Sequence, residues 1–298
     1  MKKGPFVYKN TECMEKMHRF YDKALKSLHI EYSEEYIDTS FGKTHILTAG
    51  DKNKPPLCTI HGGNGITPLN LKLFIPLLNE YRIIAPDVVG MPGKSEPYRT
   101  VSSKKDEYGL WICELLNALQ IEKLPFVVSS YSSAMLLSLA KAFPDKIDKA
   151  VLLVPSGIAH GPIMPMLTKM VVPFISYYFA PDKKTLDKVM DVMGGKGDDL
   201  WREFFDVMMS SYKMEMRPPK EYHKKELCRF KAPLLIIASN SDIFFPADKV
   251  FKKAAGLFAG RVKTELIESK HLPSEAVMKK VCEQVAGFFK NEEQGNAI

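Results

Sequence analysis

Between residues 57 and 154 short apolar runs alternate with helical segments, and this rhythm limits the fold more than any other feature of the chain. Leu57-Cys-Thr-Ile60 reads as a strand and 68–80 as a helix, Arg82-Ile-Ile-Ala85 as a strand and 103–119 as a helix. Phe126-Val-Val128 follows as a strand, 131–143 as a helix that ends before Pro144, and Ala150-Val-Leu-Leu-Val154 as a further strand. Uniformly apolar strands bury both sides, and parallel neighbours need a crossover between them. The pattern therefore predicts an α/β fold, a mostly parallel sheet flanked by helices.

The rhythm breaks from 158 to about 228, where nine of the fifteen methionines gather, and it resumes over 233–290. An irregular helical stretch inside such a domain reads as a cap inserted late in the chain. Tyr36 to Thr48 alternates on both sides of Phe41-Gly42 and predicts a β-hairpin. Met14, Met17, Tyr21, Leu25 and Leu28 recur at helical spacing over 11–29, with Thr11 or Asn10 as N-cap. The expected organisation is an N-terminal helical extension at 1–33 packing on the main domain, a core at 34–157 and 229–298, and a helical cap at 158–228.

Composition removes several classes of function. No apolar run reaches the roughly 18 residues of a membrane span. Met1-Lys-Lys-Gly-Pro-Phe-Val-Tyr8 has no apolar stretch or cleavage site of a secretion signal, so a cytoplasmic location is expected. The five cysteines and seven histidines are dispersed, without a CxxC pair or a Cys/His cluster, so reduced thiols and no metal are expected. A net charge of +7 is spread along the chain, Lys2, Lys3, Lys104, Lys105, Lys224, Lys225, Lys279 and Lys280 among its sources, and no basic stripe interleaves with aromatics. Nucleic acid and membranes are not expected partners. A small-molecule substrate is, no cofactor is required, and self-association as a homodimer stays open.

The chemistry concentrates in three places. Leu124-Pro-Phe-Val-Val-Ser-Ser130-Tyr-Ser-Ser-Ala134 is an apolar strand that stops on serines and turns into a helix. Such a turn pushes one side chain out at the top of a sheet, where a serine serves as nucleophile. Ser130 fits that position because the strand ends just before it, and Ser132 is the neighbouring alternative. A serine needs a base, an acid to orient the base, and donors for the oxyanion. Asp242 follows the apolar run Pro233 to Ser239, and His271 follows the alternating run Val262 to Ile267. Asp248 is the weaker acid, since it falls within the helix that starts near Pro246. His61-Gly62-Gly63-Asn64-Gly65 follows a strand and lets backbone approach the turn, with Gly63 and Tyr131 as the oxyanion N–H donors. His61 is expected to anchor that loop, His160 is a weaker candidate for the lining, and Lys270 would keep a nearby imidazole neutral.

These segments, from about 34 to 290, resemble the α/β-hydrolase superfamily. Ile60-His-Gly-Gly63 is similar to its HG oxyanion motif and Asp87-Val-Val-Gly90-Met-Pro-Gly93-Lys-Ser95 to its D-x-x-G-x-x-G-x-S loop. Ile121 to Tyr131, then Ala140 and Phe143-Pro144-Asp145-Lys-Ile147, follow its elbow and helix. The resemblance implies Ser130, Asp242 and His271 as nucleophile, acid and base. Val128 and Ser132 stand where the elbow has glycine, and Lys270 where glycine is common before the histidine. A serine nucleophile sets the chain apart from the dehalogenase and epoxide-hydrolase branches, which use an aspartate. The function expected is a serine hydrolase of small or medium apolar esters, of the carboxylesterase type, working through an acyl-enzyme. The rival is a ligand-binding or signalling protein that keeps the pocket and turns over little, favoured by the glycine-poor elbow. A weaker alternative is an aminopeptidase of the proline iminopeptidase type, whose HGGPG is one residue from His61 to Gly65. It would need Glu203 or Glu215 to hold a substrate amine.

Overall fold

The computed structural model describes residues 4–215 and 218–294. Lys2, Lys3 and residues 295–298, the end of the expected core segment, lie outside them.

The first element is helix α1, Thr11–Ser27, capped by Asn10, whose Oδ1 accepts from the Cys13 N–H at 2.8 Å. A hairpin follows, β1 Tyr32–Thr39 and β2 Gly42–Ala49, turning through Ser40-Phe41. Gly42 takes φ +127°, a backbone conformation that side chains disfavour, which is why glycine closes this two-residue turn. The alternation then runs β3 Pro56–Cys58, α2 Thr67–Phe74, β4 Arg82–Pro86, α3 Glu107–Ala118, β5 Leu124–Ser129, α4 Tyr131–Ala142 and β6 Ile147–Leu153. After an excursion come β7 Leu234–Ser239, α9 Ala247–Leu257, β8 Val262–Ile267 and α10 Glu275–Gln294. The excursion holds α5 Ile163–Met166, α6 Val172–Phe179, α7 Lys183–Met193 and α8 Asp199–Ser211, with a π-helical turn at Leu167–Val171 joining α5 to α6.

Among the described residues eight strands form one sheet in the order β1-β2-β4-β3-β5-β6-β7-β8. β2 is antiparallel to both β1 and β4, and the remaining pairs are parallel. The uniformly apolar runs, β5 and β7, are interior strands, whereas β1, largely exposed, is an edge. Helix α4 is buried from Tyr131 through Ala140. Its sequence, short of charge on every side, suits a helix enclosed by α3, the sheet and the elbow loop.

Helix α1 packs both on α8 and on α2 of the sheet-bearing part of the chain. It buries Met17, Phe20, Tyr21, Ala24 and Leu25 and lies chiefly against α8, where Phe20 and Phe204 stack with ring centroids 5.9 Å apart. It also reaches the strand side, where the His18 ring lies 2.9 Å from the Gly93 carbonyl. The extended segment before it pairs with the chain leaving α8, through Lys9 N to Ser211 O at 3.0 Å and Lys213 N to Val7 O at 2.7 Å. Farther along, Lys220 and Lys141 both bind Glu226 and Asp106, tying the return to β7 against α3 and α4. Among the described residues no helix is long and apolar enough to cross a membrane.

Candidate active site

Ser130 sits between β5 and α4 with φ +57° and ψ −125°, a conformation that costs a non-glycine residue on the order of 1–3 kcal/mol. The surrounding chain holds it there. Its N–H donates to the Leu153 carbonyl at 3.0 Å, and its own carbonyl accepts from the Ser133 N–H at 3.0 Å and the Ser156 hydroxyl at 2.9 Å. Turning the backbone this way lifts Oγ out of the sheet, 2.9 Å from Nε2 of His271.

His271 lies in the loop after β8, 7% exposed, with Nδ1 2.8 Å from Oδ2 of Asp242. Asp242, in the loop after β7, is 4% exposed, and its other oxygen accepts from the N–H groups of Phe244 at 2.7 Å and Phe245 at 3.3 Å. An ionised carboxylate only accepts, so it assigns the proton to Nδ1 and leaves Nε2 free to accept from the serine hydroxyl. The rings of Phe244 and Phe245 flank the imidazole at centroid distances of 4.8 and 5.7 Å. The structure thus brings together Ser130, Asp242 and His271, which are 141 and 29 residues apart along the chain in their contacting pairs.

The two alternatives fall elsewhere. Ser132 is fully buried and spends its hydroxyl locally, donating to the Ser129 carbonyl at 2.7 Å and accepting from the Ser129 N–H at 3.1 Å. Asp248 is exposed on α9.

The glycines of the 61–65 loop allow it to lie against the elbow. A β-carbon at Gly63 would come within 3.0 Å of Tyr131 Cβ, and one at Gly62 within 3.3 Å of Ser130 Cβ. His61 pins the loop from below, its Nδ1 2.9 Å from the Gly62 carbonyl and its Nε2 accepting from the Val88 N–H at 2.9 Å. Burial pushes its pKa down, so the ring stays neutral and can accept at Nε2. Asn64, at φ +55°, grips the chain beyond α8: its amide donates to the Glu215 carbonyl at 3.1 Å and its oxygen accepts from the Glu215 N–H at 2.8 Å.

Several expectations need correction. The His160 ring is 2.9 Å from the Pro219 carbonyl and faces Glu221, away from the cavity beside Ser130. The Lys270 ammonium is held by Asp191 on α7, at 2.6 Å from its carbonyl and 3.1 Å from its carboxylate. Its charge is thereby engaged with the helical excursion. Glu203 pairs with Lys23 on α1, and Glu215 faces Arg99; neither lines the cavity, and among the described residues no carboxylate lines it to hold a substrate amine.

That cavity holds about 260 Å³ and is walled mainly by apolar side chains. Met170, Met193, Met208 and Met214 belong to the methionine-rich stretch anticipated from sequence. The aromatic half of the wall was not anticipated. Trp201, Phe204, Phe205 and Met208 stand at i, i+3, i+4 and i+7 of α8, a helical stripe visible in the sequence. Among the described residues no group of three or more His, Cys, Asp or Glu side chains could hold a metal ion.

The sequence pattern of the alpha/beta hydrolase fold matches residues 55–189. Carboxylesterase YbfK of Bacillus subtilis (strain 168) is 22% identical over 285 residues, 92% of this chain and 93% of that protein. The 2-hydroxymuconate semialdehyde hydrolase of Pseudomonas sp. (strain CF600) is 34% identical over 107 residues, 35% of this chain and 38% of its own length. Among solved structures, naproxen esterase (carboxylesterase NP) from Bacillus subtilis has a TM-score of 0.79 at 19% identity, covering 94% of this chain and 99% of that one.

Proposed function

We propose that this chain, which has the α/β-hydrolase fold, is a serine hydrolase that cleaves small or medium apolar carboxylic esters through an acyl-enzyme. The observation that carries the reading is the relay of contacts from Ser130 Oγ to His271 at 2.9 Å and on to Asp242 at 2.8 Å, opening into an apolar cavity.

In this reading Ser130 Oγ attacks the ester carbonyl while Nε2 of His271 takes its proton. Asp242, ionised and almost fully buried, stabilises the imidazolium and keeps the ring oriented. The carbonyl oxygen, now an anion, lies against the N–H groups of Gly63 and Tyr131, each such donor contributing about 10² to 10³ in kcat. As the tetrahedral species collapses, Nε2 returns the proton to the departing alcohol and the acyl group stays on Ser130. A water molecule, deprotonated by His271, then releases the acid and restores the serine. The relatives that carry esterase names support the ester as substrate class. A cavity of about 260 Å³ favours a short acyl group, because drug-sized ligands need roughly 300–1,000 Å³. We read the helices of 158–228 as a cap over this cavity and 1–33 as an extension that braces it.

Labelling with a fluorophosphonate, followed by mass spectrometry of the modified peptide, tests the assignment. Stoichiometric adduct on Ser130 is expected, and Ser130→Ala should abolish ester turnover with thermal stability nearly unchanged. An adduct on Ser132, or none on the folded protein, would overturn it.

A further inference from the structure

The helix that runs from Ile163 through the π turn to Phe179 has two faces with different surroundings. Met170 and Phe174 wall the cavity, while Ile163, Met164, Leu167, Val172, Ile175 and Phe179 are exposed to solvent, Phe179 at 80% and Ile163 at 75%. Exposed apolar side chains scattered singly are ordinary, but a row along one helix marks an interaction site. Over 161–181 the only charged residue is Lys169.

Cations lie on this helix and beside it in the chain. Lys9 sits 4.0 Å from the ring centroid of Tyr178, which is itself half exposed, and Lys169, Lys183 and Lys184 are exposed on the same helix and at the start of α7. The acids of α7 are engaged elsewhere, Asp187 with Arg202 and Asp191 with Lys270. Asp182 is spent on capping α7, where its carboxylate accepts from the Thr185 N–H. The local balance is therefore positive, in a chain whose net charge is already +7. The face ends in an edge-to-face Tyr178–Phe179 pair with centroids 5.3 Å apart, ring chemistry suited to the headgroup level of a lipid layer.

Against the expectation from composition that membranes are not partners, we propose that the Ile163–Phe179 helix docks the protein onto the surface of an anionic lipid layer. Its apolar row would enter the acyl boundary, and the lysines would meet the headgroups. A second copy of this chain would bring the same lysines face to face, which is why lipid suits the surface better than self-association. The docking helix is also a wall of the cavity, so the inner face of the bound element looks toward Ser130. Docking itself requires no turnover, and the proposal stands whether or not the serine chemistry does.

Co-sedimentation of the full chain with phosphatidylglycerol vesicles and with phosphatidylcholine vesicles tests it. Binding to the anionic vesicles alone is expected, weakened by added salt. Ile175→Asp/Phe179→Asp should reduce partition by roughly a hundredfold, from the apolar area it withdraws. Neither residue lines the cavity, so hydrolysis of a water-soluble ester should be unchanged in this variant, which also reports that it has folded. No binding by the parent chain, equal binding to both vesicle types, or equal binding by the variant would each overturn the proposal. So would a lipid-free dimer, seen by light scattering, that the double substitution dissolves.

Discussion

Replacing Val128 with glycine would restore the residue type that the elbow pattern places two positions before the nucleophile, yet the structure predicts that it harms the protein. Val128 is 0% exposed, lies in β5 between β3 and β6, and pairs with Leu152. Removing three buried carbons at about 0.8 kcal/mol each withdraws about 2.4 kcal/mol, before any cavity left behind is counted. Glycine inside a strand adds about 0.5–1 kcal/mol of lost chain entropy. A net loss of about 3 kcal/mol corresponds to a fall of roughly 5–10 °C in melting temperature for a chain of this size. Turnover should not improve, because the contacts that hold Ser130 at φ +57° come from Leu153, Ser133 and Ser156 rather than from position 128. Differential scanning fluorimetry and steady-state hydrolysis of a chromogenic short-chain ester measure both quantities. A variant as stable as the parent, or one about tenfold faster in kcat, would refute the view that valine is accommodated without strain.

Asp242→Asn should lower kcat by about 10⁴ with little change in KM, because an amide no longer favours the tautomer that leaves Nε2 free to accept; loss of less than tenfold would remove Asp242 from the relay. Glu226→Gln probes the cluster that ties the return segment. Burial works to raise the pKa of Glu226, but the Lys220 and Lys141 ammonium groups and the His223 N–H prevail and hold it at about 2. An acid depressed on folding stabilises the native state fully above its unfolded pKa of about 4.3. The stability lost in Glu226→Gln should therefore be constant near neutrality and shrink as pH falls from about 4.3 towards 2, read from urea midpoints. Parallel curves across that range would place the effect elsewhere.

The fold was legible because the strands that matter are interior. Runs such as Leu234 to Ser239 are apolar because both faces of an interior strand are covered, and their regular spacing between helical segments marks them as strands. The position of Ser130 was legible for a related reason: a strand that ends in serines and passes into a helix with no loop leaves few residues able to face out. Asp242 and His271 could be placed by the strands before them, but their contact could not be read. Val262 to Ile267 and Leu234 to Ser239 become neighbours only once the sheet order is known. The fate of Lys270 was invisible for the same reason, since Asp191 belongs to an excursion whose packing direction no periodicity encodes. The aromatic stripe of α8 was written in the sequence, but its spacing marks only a buried face and does not say that the face borders a cavity.

The backbone at Ser130 bears on how such a chain would drift. A serine held at φ +57° and ψ −125° lowers the stability of the whole molecule, and glycine at the same place would relieve it. Mutation under selection for folding alone would therefore tend to erase this residue, even while it leaves the buried Ser132 alone. The position works as a tally of use, since only a lineage that profits from the outward-facing hydroxyl has reason to keep it. Sampling substitutions under selection for abundance and, separately, under selection for turnover would make the two pressures pull in opposite directions at this one site.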